Sequence, residues 1–245
     1  MKIFTYYEDI NFKNQDEMVH LWKKSWEQQG FEAIILTLED AKKSLYYEEF
    51  VTNIKRVHID ITGHEIRPYG LSCYLRWLAY STQTDLESVL VSDYDVINKS
   101  FKFTEIVEST NKISFMDRHC PCLAYGTPEQ FLEFCKDLIT ISSKYAETLK
   151  TQHAENNCIF YHDQEFLWLN CDRIDYNFCP VRKYVRLYEH KHPSIEKAAL
   201  FHIAHRSADE TQQNFPEFAG INENTLRVLL AKDLLKDIIS DEILI

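Results

Sequence analysis

Glycine is scarce in this chain: five in 245 residues, Gly30, Gly63, Gly70, Gly126 and Gly220. From those five no GxGxxG, GxxxxGKS/T or GxSxG can be written, which excludes the glycine-cradled dinucleotide site, the P-loop and the nucleophile elbow. Long apolar runs are missing too. Nothing approaches the roughly 18 consecutive apolar residues of a membrane span, and Met1-Lys2-Ile3-Phe4-Thr5 runs straight into a strand-like pattern instead of a secretory leader. Basic charge is short, with 27 Lys and Arg against 38 Asp and Glu and a formal charge of -11. That is the wrong sign for a surface that binds by displacing counterions from nucleic-acid phosphates. A soluble, cytoplasmic protein with no nucleic-acid partner and no transmembrane segment is expected. The seven cysteines are an odd number without a secretory signal and read as reduced thiols. His119-Cys120-Pro121-Cys122 has no CxxC partner, and a CxC alone seldom fixes a tetrahedral zinc site.

The composition that is present, 45% hydrophobic, 13% aromatic and 27% charged, belongs to a chain that packs. Its length suffices for a core without staples. Residues 2–7 read as a first strand. A helix follows, its start marked by Asn14 with Glu17 three residues on, a capping-box spacing, and its apolar face by Met18, Leu21, Trp22 and Trp26. Gly30 stands where a left-handed C-terminal cap is wanted, before a strand over 33–37. Helices over 44–57 and 71–81 lead to a strand over 88–92, apolar at its centre and so buried on both faces. A strand over 113–116 precedes a strong helix start at Thr127, Pro128 and Gln130. A short helix over 163–169, strands over 183–187 and 199–203 and a terminal helix near 223–240 complete the pattern. No linker, repeat or low-complexity tract interrupts it. The fold class is α/β: one domain, 1–245, with a Rossmann-like mixed, mostly parallel central sheet flanked by helices.

Asp93-Tyr94-Asp95 directly follows the buried strand. On extended backbone, residues two apart point the same way, so both carboxylates can face one point beyond the sheet edge. Mg²⁺ or Mn²⁺ takes such oxygens together with those of a diphosphate, and open α/β sheets bind ligands at the carboxyl ends of strands. A solvated turn is the alternative. The helix before it is apolar nearly all round, with Arg76 as its only charge. A guanidinium near the core needs a carboxylate or phosphate, and Asp93 or Asp95 is the nearest candidate.

The opening Ile3-Phe4-Thr5-Tyr6-Tyr7, the helix segment Tyr74-Leu75-Arg76-Trp77 and the strand ending in Asp93-Tyr94-Asp95 together resemble a GT-A glycosyltransferase. The resemblance implies a GT-A-like domain in which the DxD pair holds Mn²⁺ or Mg²⁺ against a nucleotide sugar, UDP- or GDP-linked. Asp95 would be the firmer metal ligand, and Asp93 would contact ribose or metal. Thr5, Tyr6 and Tyr7 would line the nucleoside pocket, and Tyr94 and Arg76 would belong to the same donor site. His162-Asp163-Gln164-Glu165 resembles the DQD-type motif of retaining family 8 enzymes, with Glu165 in place of the last Asp. It puts Asp163 and Gln164 near the acceptor hydroxyl and the anomeric carbon, with Asp163 or Glu165 as base if one is needed. The capped start of a helix is the plainer reading of the same residues. A third metal ligand is implied from His202 or His205, which face opposite ways on a straight strand, His202 being favoured. The family's His-Gly-Lys-Pro-Trp signature is absent, which leaves Arg206 as the substitute for its diphosphate-binding lysine.

The implied reaction transfers a sugar from a nucleoside diphosphate to the hydroxyl of a glycan or other acceptor. A haloacid-dehalogenase-type phosphatase also uses a DxD after an apolar strand, but there the motif opens the domain. A non-catalytic nucleotide- or glycan-binding protein of the same fold is the other rival.

Overall fold

The computed structural model describes residues 1–10, 13–103, 112–116, 120–156, 158, 160–178, 184–186 and 198–236. Strand β1 (Lys2–Tyr6) sets the layering. Ile3 enters one apolar cluster, Phe4 and Tyr6 the other, as alternate side chains of a strand must. Helix α1 (Gln15–Gln28) buries Met18, Leu21, Trp22 and Trp26, the stripe read from sequence. Its start differs from expectation. Asn14 has a left-handed φ of 59° and makes no cap bond; its Nδ2 instead donates to Thr225 Oγ1 at 2.9 Å. A tertiary hydrogen bond has displaced the local one, and no capping box with Glu17 forms. At the other end Gly30, φ 85°, donates its N–H to Glu27 O while Phe31 donates to Trp26 O. These are the paired bonds of a Schellman cap, and they turn the chain into β2 (Glu32–Leu36).

Helices α2 (Leu38–Ala41) and α3 (Tyr47–Thr62) follow. Helix α4 (Pro68–Ser81) starts with Pro68 in its first turn, a turn earlier than its apolar run indicates. Strand β3 (Val89–Ser92) is buried throughout. After β4 (Val96–Asn98), β5 (Ser114–Phe115) and β6 (Leu123–Gly126) comes α5 (Pro128–Lys144), which begins as read: Gln130 N–H donates to Thr127 Oγ1, and Thr127 N–H to Gln130 Oε1. Helices α6 (Ala146–Glu155) and α7 (Asp163–Leu169), strands β7 (Asn177–Phe178), β8 (Tyr184–Arg186) and β9 (Leu200–His202), and helices α8 (His205–Asn214) and α9 (Glu223–Leu235) complete the described chain.

The central sheet runs β2-β1-β3-β6-β5-β7. Strand β1 is parallel to both neighbours and β5 to β7, while β6 is antiparallel to β3 and β5. All strands but β6 therefore share a direction, the mixed and mostly parallel sheet expected. One face carries α1, α9 and a second sheet, β4-β9-β8; the other carries α3, α4, α5 and α7. From β1 the chain goes first to β2 on one side and later to β3 on the other. The carboxyl ends of β1 and β3 thus flank a topological switch point, where open α/β sheets leave a crevice. No helix among the described residues is long and apolar enough to cross a membrane.

Candidate active site

Strand β3 ends at Ser92, which is tied to α1 by Trp22 Nε1–H donating to its Oγ at 2.8 Å. The chain then leaves the strand in a turn, Val96 N–H donating to Asp93 O at 3.0 Å across Tyr94 and Asp95. The two carboxylates are brought together by this β-turn and not by the two-residue alternation of extended backbone. An oxygen of Asp93, an oxygen of Asp95 and a ring nitrogen of His202 lie within 4.8 Å of one another. Register puts the histidine there. His202 pairs with Val96 in the β4–β9 ladder, and Ile203 N–H donates to Asp95 O at 2.8 Å. His202 Nε2 stands 3.4 Å from Asp95 Oδ1, a buried oxygen with no hydrogen-bond partner. His205 is not on the strand. It opens α8, pairs through Nδ1 with Glu223 and lines the cleft outside the acid–histidine group.

Each acid also faces a guanidinium. Arg76 bonds to Asp93 through Nη1 and to Asp163 Oδ2 through Nε at 2.9 Å and Nη2 at 2.5 Å. Trp77 Nε1 gives the same oxygen a third donor at 2.6 Å. Asp163 is 1% exposed and lines neither cavity. With three donors on one oxygen it anchors Arg76. Glu165 is likewise engaged by the start of α7, its Oε2 accepting from His162 N at 3.1 Å, so the capped-helix reading describes this residue. Gln164, beside them, is half-buried.

Arg227 was not anticipated from the sequence. From α9 its Nη2 reaches Asp95 Oδ2 at 2.5 Å and its Nε donates to Ile203 O at 2.8 Å, with the side chain buried. The signal was present: Arg227, Ala231 and Leu235 recur every four residues along the buried stripe of α9. A charge on such a stripe needs a partner, the same reasoning that singled out Arg76.

Burial pushes the Asp93 carboxyl upward, with Arg76 opposing it. On Asp95 burial acts in the same sense, but His202 and Arg227 overcome it and hold that carboxyl well below the usual range. Asp95 is thereby held ionised, while His202, which burial lowers, is raised well above its ordinary value by Cys120 and Asp95, so a cation taking all three groups would displace a proton from the ring.

Tyr6 lines a cleft of about 70 Å³ together with Glu8, Gln15, Arg76, Asp93 and Asp95. Thr5 is fully buried and outside that lining. It alternates with Phe4 and Tyr6 and so lies on the side of β1 turned toward α1. Tyr7, also outside the lining, packs edge-on against Tyr94, whose hydroxyl accepts from Gln15 Nε2 at 2.7 Å. The Arg206 side chain lies outside the described residues. Cys120 and Cys122 gather with His202, Cys120 Sγ standing 3.9 Å from His202 Nδ1, so the thiols back the histidine on the side away from Asp95. A second cavity, about 370 Å³, meets the cleft at Ile10 and Tyr69.

A six-stranded sheet with one reversed strand, an acidic turn after β3 and a histidine from a small second sheet define a GT-A-like architecture. Among solved structures, an active-site mutant of LgtC superposes with a TM-score of 0.51 at 13% identity, covering 90% of this chain and 95% of that one. The galactosyltransferase LgtC in complex with donor and acceptor sugar analogs gives 0.49 at 15% identity, over the same shares of the two chains. A glycosyltransferase involved in glycosylating the major capsid of PBCV-1 gives 0.46 at 11%, over 86% and 97%. The likeness is one of fold. No protein-family model and no curated protein matches the sequence.

Proposed function

We propose that this chain is a metal-dependent glycosyltransferase that moves a sugar from a UDP- or GDP-linked donor to an acceptor hydroxyl. One observation carries the reading. At a switch-point cleft, ligand atoms of Asp93, Asp95 and His202 lie within 4.8 Å of one another, and Asp95 Oδ1 is buried without a hydrogen bond, 3.4 Å from His202 Nε2. Two carboxylates and an imidazole suit Mn²⁺, or Mg²⁺ with water making up the set. When bound, such an ion would neutralise charge growing on the leaving diphosphate. The protein's own share begins with Arg76, whose guanidinium is held by Asp163, itself bonded by Trp77, lines the cleft and would bond donor oxygens. Arg227 holds Asp95 Oδ2, leaving Oδ1 to face His202. With Asp163 and Glu165 both engaged, the departing phosphate is the base at hand, which favours retention of anomeric configuration.

Thermal-shift measurements with UDP and GDP sugars, with and without Mn²⁺, followed by donor hydrolysis, test this. A Mn²⁺-dependent shift, its loss in Asp95→Ala and release of free sugar are expected. A shift without release would mean a binding protein, and a shift unchanged in Asp95→Ala would end the metal assignment.

A further inference from the structure

Behind the acidic turn, two sulfur donors and one nitrogen donor converge. Cys120 Sγ, Cys122 Sγ and a ring nitrogen of His202 lie within 4.8 Å of one another. All three side chains are buried, Cys122 completely. A CxC alone seldom fixes a cation, but here the fold supplies a third donor from 82 residues further along the chain. Register brings it there: His202 pairs with Val96 just after the turn, and Asp93 N–H donates to Cys122 O at 2.8 Å, holding the 120–122 segment against the same turn.

The two nitrogens of His202 face different chemistry. Nε2 stands 3.4 Å from Asp95 Oδ1, and Nδ1 stands 3.9 Å from Cys120 Sγ. Carboxylates suit Mg²⁺ and Mn²⁺, whereas thiolates select soft and borderline d10 cations such as Cu⁺ and Zn²⁺. The spacing agrees with ligation. With bonds of about 2.3 Å to sulfur and about 2.0–2.1 Å to nitrogen, a tetrahedral or trigonal ion sets those two ligand atoms ~3.6–3.8 Å apart. The observed 3.9 Å is already close to that. A buried cysteine is otherwise a small apolar core residue, as Cys135 is in the cluster on the opposite face, where it joins no group of potential ligands among the described residues. No fourth His, Cys, Asp or Glu atom joins the Cys120–Cys122–His202 group among the described residues. Three donors complete a trigonal Cu⁺ site, and Zn²⁺ would add a water as it does in its open sites.

We propose that Cys120, Cys122 and His202 Nδ1 form a second cation site, for a thiophilic d10 ion, back to back with the acidic turn. Binding sends the two thiol protons to solvent. A neutral imidazole has one lone pair, so an ion on Nδ1 leaves Nε2–H directed at Asp95 Oδ1. His202 then serves one ion at a time. That exclusion rests on the metal reading proposed above; the thiol site does not.

The test titrates the reduced, metal-free protein anaerobically with one equivalent of Zn²⁺ or of Cu⁺, each against a chromophoric chelator. X-ray absorption of the loaded wild type then reads the ligands. Two sulfurs at about 2.3 Å and one imidazole nitrogen at about 2.0–2.1 Å are expected, with an added oxygen where the ion is Zn²⁺. The ion that holds this ligand set against its chelator is the one the site takes. Cys120→Ala and Cys122→Ala should each weaken binding by more than the ~tenfold that losing even an outer-shell partner costs. Cys171→Ala, at a half-buried thiol outside the group, should match wild type. No binding, an ion bound without both sulfurs, or unchanged affinity in the folded Cys120→Ala and Cys122→Ala proteins would overturn the site. The absorption measurement needs no variant and decides the matter if those proteins misfold. The Mn²⁺ thermal shift is followed in parallel. Its loss on loading the thiophilic ion supports the shared ring, and an undiminished shift overturns the sharing. Sulfur ligation with no Mn²⁺ shift in the unloaded protein would leave the thiol site standing and remove the metal reading of the acidic turn. A Mn²⁺ shift without sulfur ligation would do the reverse.

Discussion

Asp95 and Arg227, 132 residues apart, meet at 2.5 Å, and the same guanidinium bonds the carbonyl of Ile203. Helix α9 thereby fastens the acidic turn to the strand end that presents His202, so the elements carrying Asp95 and His202 depend on one buried side chain.

Replacing Arg227 with Met removes that fastening and strips the buried Asp95 of its guanidinium. Breaking a buried pair from one side costs about 3–5 kcal/mol, which urea unfolding would register as a lower midpoint at unchanged slope. Saturating Mn²⁺ should recover part of the loss, because an ion bound only by the folded state adds to its stability. A loss below about 1 kcal/mol would mean that the pair is not shielded from water.

Asp163 is set for an acid-dependent effect. Burial raises its carboxyl, but Arg76, His162 and Trp77 prevail and keep it below the ordinary value. A lowered folded-state pKa contributes stability that is present above the unfolded value of about 3.9 and is lost as pH falls through the folded one. Asp163→Asn should be less stable than wild type at pH 7 and lose less on acidification. Parallel stability–pH curves for the two proteins would contradict this.

His162 supplies the alkaline counterpart. Its folded-state pKa of about 10 lies above the unfolded value. Its contribution is therefore complete below about pH 6.5 and disappears as pH rises through the folded value, each unit being worth about 1.4 kcal/mol. Unfolding at pH 6, 8 and 10.5 should show a decline in wild type that His162→Gln lacks. A decline of equal size in the variant would assign it to other groups.

What the sequence made legible was what local chemistry decides. Thr127, Pro128 and Gln130 cap α5 as their spacing requires, and Gly30 ends α1 because its left-handed turn suits a residue without Cβ. Helix α6 escaped because it buries only Leu149 and so offers no stripe to read. The run holding His202 and His205 reads as strand-like because the break at Ile203–Ala204 carries no glycine or proline. The acidic pair was found, but the turn that makes it converge was not, since Asp93 O···Val96 N closes only once β4 pairs with β9. Arg227 belongs to the same class: its partner lies across the whole fold.

Arg76 allows a sharper test of how the cleft is built. Its fork spans Asp93 on one side and Asp163 on the other, a reach that a single ammonium cannot reproduce. In Arg76→Lys the charge stays but one acid loses its bond. Asp163 would still hold Trp77, whereas Asp93 would be left facing the cleft alone. The expected loss is about 1.5–3 kcal/mol, the worth of a hydrogen bond to a charged group. The nucleotide-sugar thermal shift should weaken, because the proposed contact of the guanidinium with donor oxygens is removed. The shift given by Mn²⁺ alone should persist, since Asp95 and His202 make no bond to Arg76. Full retention of the nucleotide-sugar shift in Arg76→Lys would show that the cleft uses this position only as a point charge.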